Sequence, residues 1–402
     1  MNLAILGMGT VGCGVVDVLS ENREKITGLI GEEITISHVY VNNVDKERSV
    51  DLGGAIITDD INSLLDSDDI DTVVEVMGGM EATRDILTKF LKKGIHVVSA
   101  NKDMLAKYID ELSLVAEDNG ASLLYEASIA GGIPIVNAIE YGLNANRIHK
   151  VMGILNGTTN YILSKMTKDG WDYQQALEEA TEKGYAEADP TNDVDGFDAQ
   201  RKIVLLSRLA YERKVDIDEV PVTGIRDVQL KDIKNAKAAG FRLKLVGKSE
   251  FDGVGMSIEV APVLLPADHQ LASVEYEKNA VYVMGNAVGE TMFYGPGAGG
   301  METASAVVSD LINCMKNQNV ACKGPRPDQF AQMKMSDQPC RYYIRFDSDI
   351  GGYLEEMDID YSPVDSTDDT TVITEPVGQA LLKKLKSNEA YNIKAIYQVE
   401  GN

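Results

Sequence analysis

Residues 180–202 combine acidic and basic side chains with loop-forming residues, in a pattern that suits proton-transfer chemistry. They read A-T-E-K-G-Y-A-E-A-D-P-T-N-D-V-D-G-F-D-A-Q-R-K. The five carboxylates from position 187 on stand just before a basic pair: Glu187, Asp189, Asp193, Asp195 and Asp198, then Arg201 and Lys202. Because Asp198 and Lys202 are four residues apart, a helix would place them on one face, with the acid on the favourable N-terminal side. A carboxylate and an ammonium held together at a helix start suit a small zwitterionic substrate with a reacting oxygen. The alternative interpretation is a solvated acidic loop with one helix salt bridge.

The first residues of the chain predict a phosphate-binding turn between a strand and a helix. Residues 3–6 form an apolar run without polar alternation, as in a strand buried on both faces of a parallel sheet. The run leads into G-M-G-T-V-G, the G-x-G-x-x-G spacing of a dinucleotide-binding turn, and apolar residues then recur at helical spacing. The cofactor-binding residues predicted in this turn are Gly7, Gly9, Thr10, Val11 and Gly12.

The end of the second predicted strand, residues 34–41, bears on the choice of cofactor. In dinucleotide-binding folds an acidic residue there binds the ribose hydroxyls of NAD, whereas an arginine meets the 2′-phosphate of NADP. This chain has Asn42 and Asn43, with Lys46 and Arg48 just beyond. Asn42 is therefore a candidate cofactor contact, and both NAD and NADP stay open.

Two further strands are predicted over residues 71–77 and 95–100, with a helix between them around residues 83–93. Such alternation implies a parallel, doubly wound α/β sheet of the Rossmann type. In these sheets the ligand crevice lies at the carboxyl ends of the strands.

Polar residues stand at that predicted edge. Gly78 and Gly79 follow one strand and S-A-N-K, residues 99–102, follows the next. Ser99, Asn101 and Lys102 are candidate cofactor contacts. Lys102 can also reach a substrate carboxylate or a reacting oxygen; the alternative is a surface lysine that opens the next helix.

A second candidate anion receptor lies in the middle of the chain. Residues 153–163, G-I-L-N-G-T-T-N-Y-I-L, predict a strand, a turn of small residues and a helix. Gly157 and Thr158 would present backbone N–H groups at the helix start, where a substrate carboxylate can bind. Ordinary capping by Thr158 or Asn156 explains the same residues.

Short strands that alternate with helices are predicted over residues 217–288, among them a helix that runs into a strand at K-A-A-G-F-R-L-K-L-V-G. A glycine-rich block follows at residues 294–311, Y-G-P-G-A-G-G-M-E-T-A-S-A-V-V-S-D-L. Its glycines favour a close backbone approach near the cofactor and the site of hydride transfer, with Gly299 as the predicted contact. The alternative is a plain helix start.

The length, charge and cysteine content of the chain limit the classes of function that it can have. A chain of 402 residues predicts two or three domains. The formal charge of −25 argues against nucleic acid or an anionic membrane as a partner. The four cysteines have no metal-binding spacing, which favours reduced thiols. We find neither a signal peptide nor an apolar run that could span a bilayer, and we expect a soluble, cytoplasmic protein.

The segment 180–202 resembles the signature of the homoserine dehydrogenases, matching its Ala, Gly-Tyr, Asp-Pro, Asp-Val, Gly, Asp and Lys positions in order and spacing. Similar blocks extend the resemblance over roughly residues 1–320. It implies reduction of aspartate 4-semialdehyde to homoserine by NADPH or NADH, in a homodimer or homotetramer. The implied roles are ammonium binding by Glu187, support by Asp193, orientation by Asp198, and catalysis by Lys202 and Lys102. Either lysine, or a water between them, could give the proton; Lys202 is the first choice.

The resemblance also implies a monovalent cation, usually sodium, at the link out of the nucleotide domain. The matching block is Y-E-A-S-I-A-G-G-I-P-I, residues 125–135. The implied ligands are the backbone carbonyls of Glu126, Ile129, Gly131 and Ile133. Two departures from the family stand at Asn42, often an arginine, and at Glu302, usually a proline.

The C-terminal part resembles an ACT domain, the small ferredoxin-like regulatory module that many homoserine dehydrogenases carry. C-R-Y-Y-I-R-F-D-S-D matches its first strand, and the last helix and strand are also recognisable. The middle, G-G-Y-L-E-E-M-D-I-D-Y-S-P-V-D, is expected to be too short for both a helix and a second strand. We therefore expect either an effector-binding tail, with an amino acid such as threonine as the ligand, or a purely structural or oligomerising one.

The predicted domains are a Rossmann domain at residues 1–130, a substrate-binding and dimerisation α+β domain at 131–322 whose last helix returns to the cofactor domain, a linker at 323–339, and a degenerate ACT-like domain at 340–402. Two other functions remain as alternatives. One is another NAD(P)-dependent amino-acid dehydrogenase, and the other is a dinucleotide-binding sensor without catalysis.

Overall fold

A computed structural model describes residues 1–316, 332–333, 338–347, 351–364, 370–387 and 392–401 of the chain. Its strands are β1 Asn2–Leu6, β2 Thr35–Tyr40, β3 Ile56–Thr58, β4 Thr72–Glu75, β5 His96–Ser99, β6 Leu123–Leu124, β7 Ile148–Ile154, β8 Phe241–Phe251, β9 Gly255–Pro266, β10 Lys278–Gly285, β11 Gly289–Pro296, β12 Gln332–Met333, β13 Arg341–Phe346, β14 Tyr361–Pro363, β15 Thr370–Thr374 and β16 Ile393–Val399.

The helices are α1 Thr10–Glu21, α2 Arg23–Ile30, α3 Ile61–Leu65, α4 Glu81–Lys92, α5 Lys102–Asp118, α6 Ile135–Asn137, α7 Gly157–Asp169, α8 Tyr173–Glu182, α9 Thr191–Val194, α10 Phe197–Tyr211, α11 Leu230–Ala238, α12 Gly300–Lys316, α13 Gly351–Glu356 and α14 Gln379–Ser387. Among the described residues, none of the helices is long and apolar enough to cross a membrane.

Contacts divide the chain into two units. The first comprises residues 1–147, 204–217 and the described part of 295–330; the second comprises residues 148–203, 218–294 and the described part of 331–402. The domain boundaries predicted from the sequence stay predictions.

The first unit is built on a six-stranded parallel sheet in the order β3-β2-β1-β4-β5-β6. The strand order reverses between β1 and β4, where doubly wound sheets place their ligand crevice. Residues Leu3 to Leu6 of β1 are fully buried, because helices cover both faces of a parallel sheet. Helix α12 returns to pack against α1 in this unit. The predicted Rossmann architecture is confirmed.

The second unit is built on a mixed sheet in the order β11-β10-β7-β8-β9-β16-β13-β15-β14, with β12 beside β9. Strands β8 and β9 have 11 and 12 residues and pair antiparallel over β8's whole length. The prediction of short strands over residues 217–288 is therefore wrong for this hairpin. Charged residues break its apolar pattern, yet Lys244 and Lys248 are accommodated by oxygen acceptors within the unit.

The last strands of the second unit have the element order β13-α13-β14-β15-α14-β16 and lie side by side as β16-β13-β15-β14. This is the βαββαβ arrangement of ferredoxin-like modules. The expectation that the middle segment is too short for both elements is wrong, since α13 takes only six residues and β14 only three. The ACT assignment itself stays a prediction. The predicted linker, 323–339, lies outside the described residues except for 332–333 and 338–339.

Candidate active site

The turn between β1 and α1, residues 7–12, is hereafter the glycine turn. Gly7 has φ +102°, and a Cβ there would lie 2.9 Å from the carbonyl oxygen of Val76. A Cβ on Gly12 would lie 2.3 Å from the Gly7 carbonyl oxygen. At Gly9, by contrast, a Cβ would meet nothing within 4 Å, so that the backbone is open to a ligand. Gly9 is the N-cap of α1 and offers no side-chain acceptor to the first-turn N–H groups, which suits a pyrophosphate.

The glycine-rich block at residues 294–311 approaches the same helix. A Cβ on Gly300 would lie 2.8 Å from Cγ2 of Thr10, and one on Gly14 would lie 2.8 Å from the carbonyl oxygen of Gly300. Gly299, with φ +136°, is covered by the carboxylate of Glu302. The structure therefore brings Gly299 and Thr10, both predicted cofactor contacts, to one region of the first unit.

The loop after β2 is fastened by Arg48. Its guanidinium donates hydrogen bonds to the carbonyl oxygens of Asn43 at 2.8 Å and Lys46 at 2.6 Å. Asn42 itself is exposed at the end of this strand. Arg48, one of the two basic residues just beyond Asn42 and Asn43, thus organises the loop backbone.

Residues 99–102 form the turn from β5 into α5. The backbone N–H of Asn101 donates to Oγ of Ser99 at 3.1 Å, and the Asn101 side chain caps α5 by accepting from the N–H of Met104 at 3.1 Å. Lys102 is the first residue of α5 and is partly buried. Lys102 therefore opens a helix at the carboxyl edge of the sheet, and its contact with a substrate stays a prediction.

The four residues of the predicted cation site lie in one buried link in the first unit. Glu126 and Ile129 are fully buried, and Ile133 is 2% exposed. Gly131 has φ +56°, and a Cβ there would lie 2.6 Å from the Gly297 carbonyl group. Burial raises the pKa of Glu126 and raises that of its neighbour Asp310 well above the ordinary value, and Asp310 accepts a hydrogen bond from the backbone N–H of Glu126 at 2.8 Å.

The second unit gathers a charged group that we call the lysine cluster, formed by Leu155, Asn156, Asp193, Asp198 and Lys202. Asp198 and Lys202 lie on α10, as their spacing predicted, with Nζ 2.8 Å from Oδ2. Nζ of Lys202 also donates to the carbonyl oxygen of Leu155 at 2.7 Å. Asp198 is 3% exposed and Lys202 is 7% exposed. The alternative interpretation is thus correct in its helix salt bridge, but this pair is buried and not solvated.

Asn156 joins the two acids of the lysine cluster. Its amide donates to Asp193 at 2.7 Å and to Asp198 at 2.9 Å, while its oxygen accepts from the N–H of Thr159 and caps α7. The cap belongs to Asn156, and Thr158 donates instead to the carbonyl oxygen of Tyr185 at 2.6 Å. The N-terminus of α7, with Gly157, is thereby brought beside the loop that precedes Glu187.

Glu187 itself is exposed, unlike the acids of the lysine cluster. Two other residues escape sequence reasoning. Asn279 is fully buried and donates to the same Leu155 carbonyl oxygen that holds Lys202, at 2.9 Å. Glu75, at the end of β4, is fully buried, and burial raises its pKa. Neither residue carries a motif signal, because only the folded chain brings its partners to it.

A Rossmann sheet with a glycine turn and a buried lysine–carboxylate pair are features expected of an NAD(P)-dependent oxidoreductase. Sequence models of known families agree: residues 7–126 match the NAD-binding domain of homoserine dehydrogenase, and residues 134–312 match the homoserine dehydrogenase domain. The chain belongs to the homoserine dehydrogenase family.

Individual relatives give the same result. The homoserine dehydrogenase of Bacillus subtilis is 40% identical over 427 residues, which cover 100% of this chain and 99% of the relative. A crystal structure of a homoserine dehydrogenase from Thiobacillus denitrificans superposes with a TM-score of 0.91 at 34% identity, covering 100% of this chain and 98% of that one. A hyperthermophilic archaeal homoserine dehydrogenase in complex with NADPH has a TM-score of 0.67 at 27% identity, over 81% of this chain and 99% of that one.

Proposed function

We propose that this protein interconverts L-aspartate 4-semialdehyde and L-homoserine, with NADPH or NADH as the reductant, within the biosynthesis of threonine, methionine and isoleucine. The observation that carries the proposal is the buried Asp198–Lys202 pair on α10, in a chain that belongs to the homoserine dehydrogenase family. Among known relatives, the archaeal enzyme named above has a structure in complex with NADPH.

The first unit would hold the dinucleotide. The open backbone at Gly9 and the first turn of α1, with Thr10 and Val11, suit the pyrophosphate. Asn42, Ser99, Asn101 and Gly299 would add further contacts. When bound, the nicotinamide supplies the hydride for the reduction or accepts it in the oxidation.

Lys202 would move the proton. Reduction of the aldehyde leaves a developing alkoxide that must be protonated, and an ammonium is a suitable donor. Asp198 and the Leu155 carbonyl fix Nζ in one position, so that little freedom is lost when the substrate binds. Lys102 would act as a second catalytic lysine, as the family resemblance implies.

The amino-acid end of the substrate would be recognised by charge. The N–H groups at the start of α7, at Gly157 and Thr158, suit its carboxylate. Glu187 would bind the ammonium group, and Asp193, held by Asn156, would support it.

A monovalent cation, Na⁺, would bind the backbone carbonyls of Glu126, Ile129, Gly131 and Ile133. The burial of these residues and of the neighbouring Asp310, which accepts from the Glu126 N–H, supports this. We further propose a cytoplasmic homodimer or homotetramer. The tail would act in assembly or in binding an effector such as threonine.

The test is homoserine-dependent reduction of NADP⁺ and NAD⁺ in parallel, with and without threonine, and in NaCl against choline chloride. We expect turnover with at least one dinucleotide. The matched control substrate is 4-hydroxybutyrate, which lacks the ammonium group and should be a poor substrate. A folded protein that binds NADPH but oxidises no homoserine would instead favour another amino-acid dehydrogenase or a sensor.

A further inference from the structure

Glu75 is a charged residue buried at the switch point of the parallel sheet. It is the last residue of β4, the strand beside β1 across which the strand order reverses, and it is fully buried. A carboxylate is rarely buried without a compensating set of donors, because desolvation costs several kcal/mol. Its partners therefore indicate what its burial achieves.

One carboxylate oxygen of Glu75 holds the turn after β4. Oε1 accepts hydrogen bonds from the backbone N–H groups of Met77 at 3.0 Å and Gly78 at 3.1 Å. Gly78 and Gly79 both have positive φ, +75° and +82°, which glycine adopts readily, and the hydrogen bonds hold this flexible turn in one conformation. Oγ1 of Thr83 completes the turn by donating to the Gly78 carbonyl oxygen at 2.6 Å.

The other carboxylate oxygen reaches the neighbouring strand. Oε2 accepts from the hydroxyl of Ser99, at the end of β5, at 2.7 Å. Oγ of Ser99 in turn accepts a hydrogen bond from the backbone N–H of Asn101. The side-chain amide of Asn101 donates to the Gly79 carbonyl oxygen at 2.7 Å. The hydrogen bonds thus form a closed circuit between the turn after β4 and the turn that ends at Lys102.

The circuit also touches the glycine turn. The backbone of Val76 and Met77 lies within 3.0 Å of where a Cβ on Gly7 would stand, so the two turns are in direct backbone contact. Three carboxyl ends of parallel strands, those of β1, β4 and β5, are therefore linked at the edge where a dinucleotide binds.

We propose that Glu75 is a positioning residue that shapes the nicotinamide end of the cofactor site and sets the start of α5 at Lys102. It acts through the Met77–Gly79 turn and through Ser99 and Asn101, without touching the substrate. The inference rests on the proposed function for its effect on turnover, whereas its effect on dinucleotide binding is independent of the substrate.

The experiment measures the dissociation constant of NADPH alone, by its fluorescence, for the full-length protein and three variants at position 75. Glu75→Gln keeps an oxygen that accepts from Met77 and Gly78 and an NH₂ that donates to Ser99, so we expect a change of less than about threefold. Glu75→Ala removes the acceptor, and Glu75→Asp is one methylene too short to serve both strands. Both should weaken NADPH binding about tenfold and lower kcat for homoserine oxidation.

The matched control is Leu87→Ala, a fully buried core position on α4 that is not part of the circuit. It should lower the thermal midpoint while leaving NADPH affinity within about twofold. The positioning role is contradicted if Glu75→Ala binds NADPH as tightly as the wild type does. It is also contradicted if Leu87→Ala, with the same loss of thermal midpoint as Glu75→Ala, loses the same NADPH affinity. It is also overturned if Glu75→Asp retains affinity while Glu75→Gln loses it, since charge would then be the cause.

If Glu75→Ala does not fold, the Glu75→Asp and Glu75→Gln variants still show whether NADPH binding depends on the hydrogen-bond geometry or on the charge of residue 75. The proposed function is tested independently: it is wrong if the wild-type protein binds NADPH but oxidises no homoserine. In that case the position-75 affinities still confirm or overturn the positioning role.

Discussion

The glycine turn and the lysine cluster are built by opposite means. The glycine turn depends on missing side chains, because a Cβ at Gly7 or Gly12 would collide with backbone and one at Gly9 would fill open space. The lysine cluster depends on side chains whose partners lie far away in sequence, since Lys202 bonds a carbonyl 47 positions earlier. A site made of backbone groups can be predicted from the local spacing of residues, whereas a site made of charged side chains forms only when the chain folds.

The largest effect should come from the lysine cluster. Lys202→Met keeps the length of the side chain but removes the ammonium, and we expect kcat for homoserine oxidation to fall by about 10³-fold. The control is Arg201→Met, the adjacent base, which donates to Asn192 at the surface. Its kcat should stay within about threefold. Equal losses in the two variants would mean that positive charge on α10, and not Lys202 itself, matters.

The glycine turn should respond in affinity. Gly9→Ala places a methyl group in space that is empty in the free protein, so the variant should fold normally. We expect the NADPH dissociation constant to rise by roughly 10- to 100-fold, because the backbone can no longer approach the pyrophosphate. Gly28→Ala is the control, an open helical glycine on α2 where alanine should be slightly stabilising. Unchanged NADPH binding in Gly9→Ala would show that the ligand lies elsewhere.

Asn156 tests whether the lysine cluster acts as a unit. Asn156→Ala removes the donor to Asp193 and Asp198 and also the cap of α7. We expect the KM for homoserine to rise about tenfold and the free energy of unfolding to fall by about 1 kcal/mol.

The matched control for the cap is Asp172→Ala, which removes the exposed capping box of α8. It should cost a similar free energy of unfolding without changing KM. A rise in KM in both variants would attribute the Asn156 effect to lost stability alone.

The smallest effect concerns a second buried lysine, which sharpens the contrast with Lys202. Lys244 donates to the neutral oxygens of Asn160 and Val274, and burial lowers its pKa to about 8. Between that value and its unfolded pKa the unfolded chain binds more protons, so stability rises with pH in this window. Relative to Lys244→Met, the wild type should gain about 1 kcal/mol in free energy of unfolding from pH 7 to pH 9. The check is denaturant titration of both proteins at the two pH values. If their difference in free energy of unfolding is the same at pH 7 and pH 9, the prediction is wrong.

Much of the fold followed from the sequence because its cues are local. The glycine spacing and the apolar strands predicted β1, α1 and the parallel sheet, and the i,i+4 spacing predicted the Asp198–Lys202 pair. The β8–β9 hairpin was misjudged because Lys244 and Lys248 interrupt its apolar pattern, although the folded unit satisfies both. The tail was misjudged because a ferredoxin-like module tolerates elements as short as β14, which no periodicity can reveal.

Within the site, the residues that escaped prediction share one property. Asn156 as a bridge between two acids, Asn279 as a second donor to Leu155, and Glu75 as a link between β4 and β5 all act on partners distant in sequence. Burial gives these contacts their strength, and burial of one polar side chain is a property of the whole fold.

The most direct test of the division between the two regions is the NADPH dissociation constant of Lys202→Met, measured beside that of Gly9→Ala. We predict that Lys202→Met, though nearly inactive with homoserine, binds NADPH within about twofold of the wild type. If it loses NADPH affinity as Gly9→Ala does, the lysine cluster serves cofactor binding and the separation of tasks proposed for the two regions is wrong.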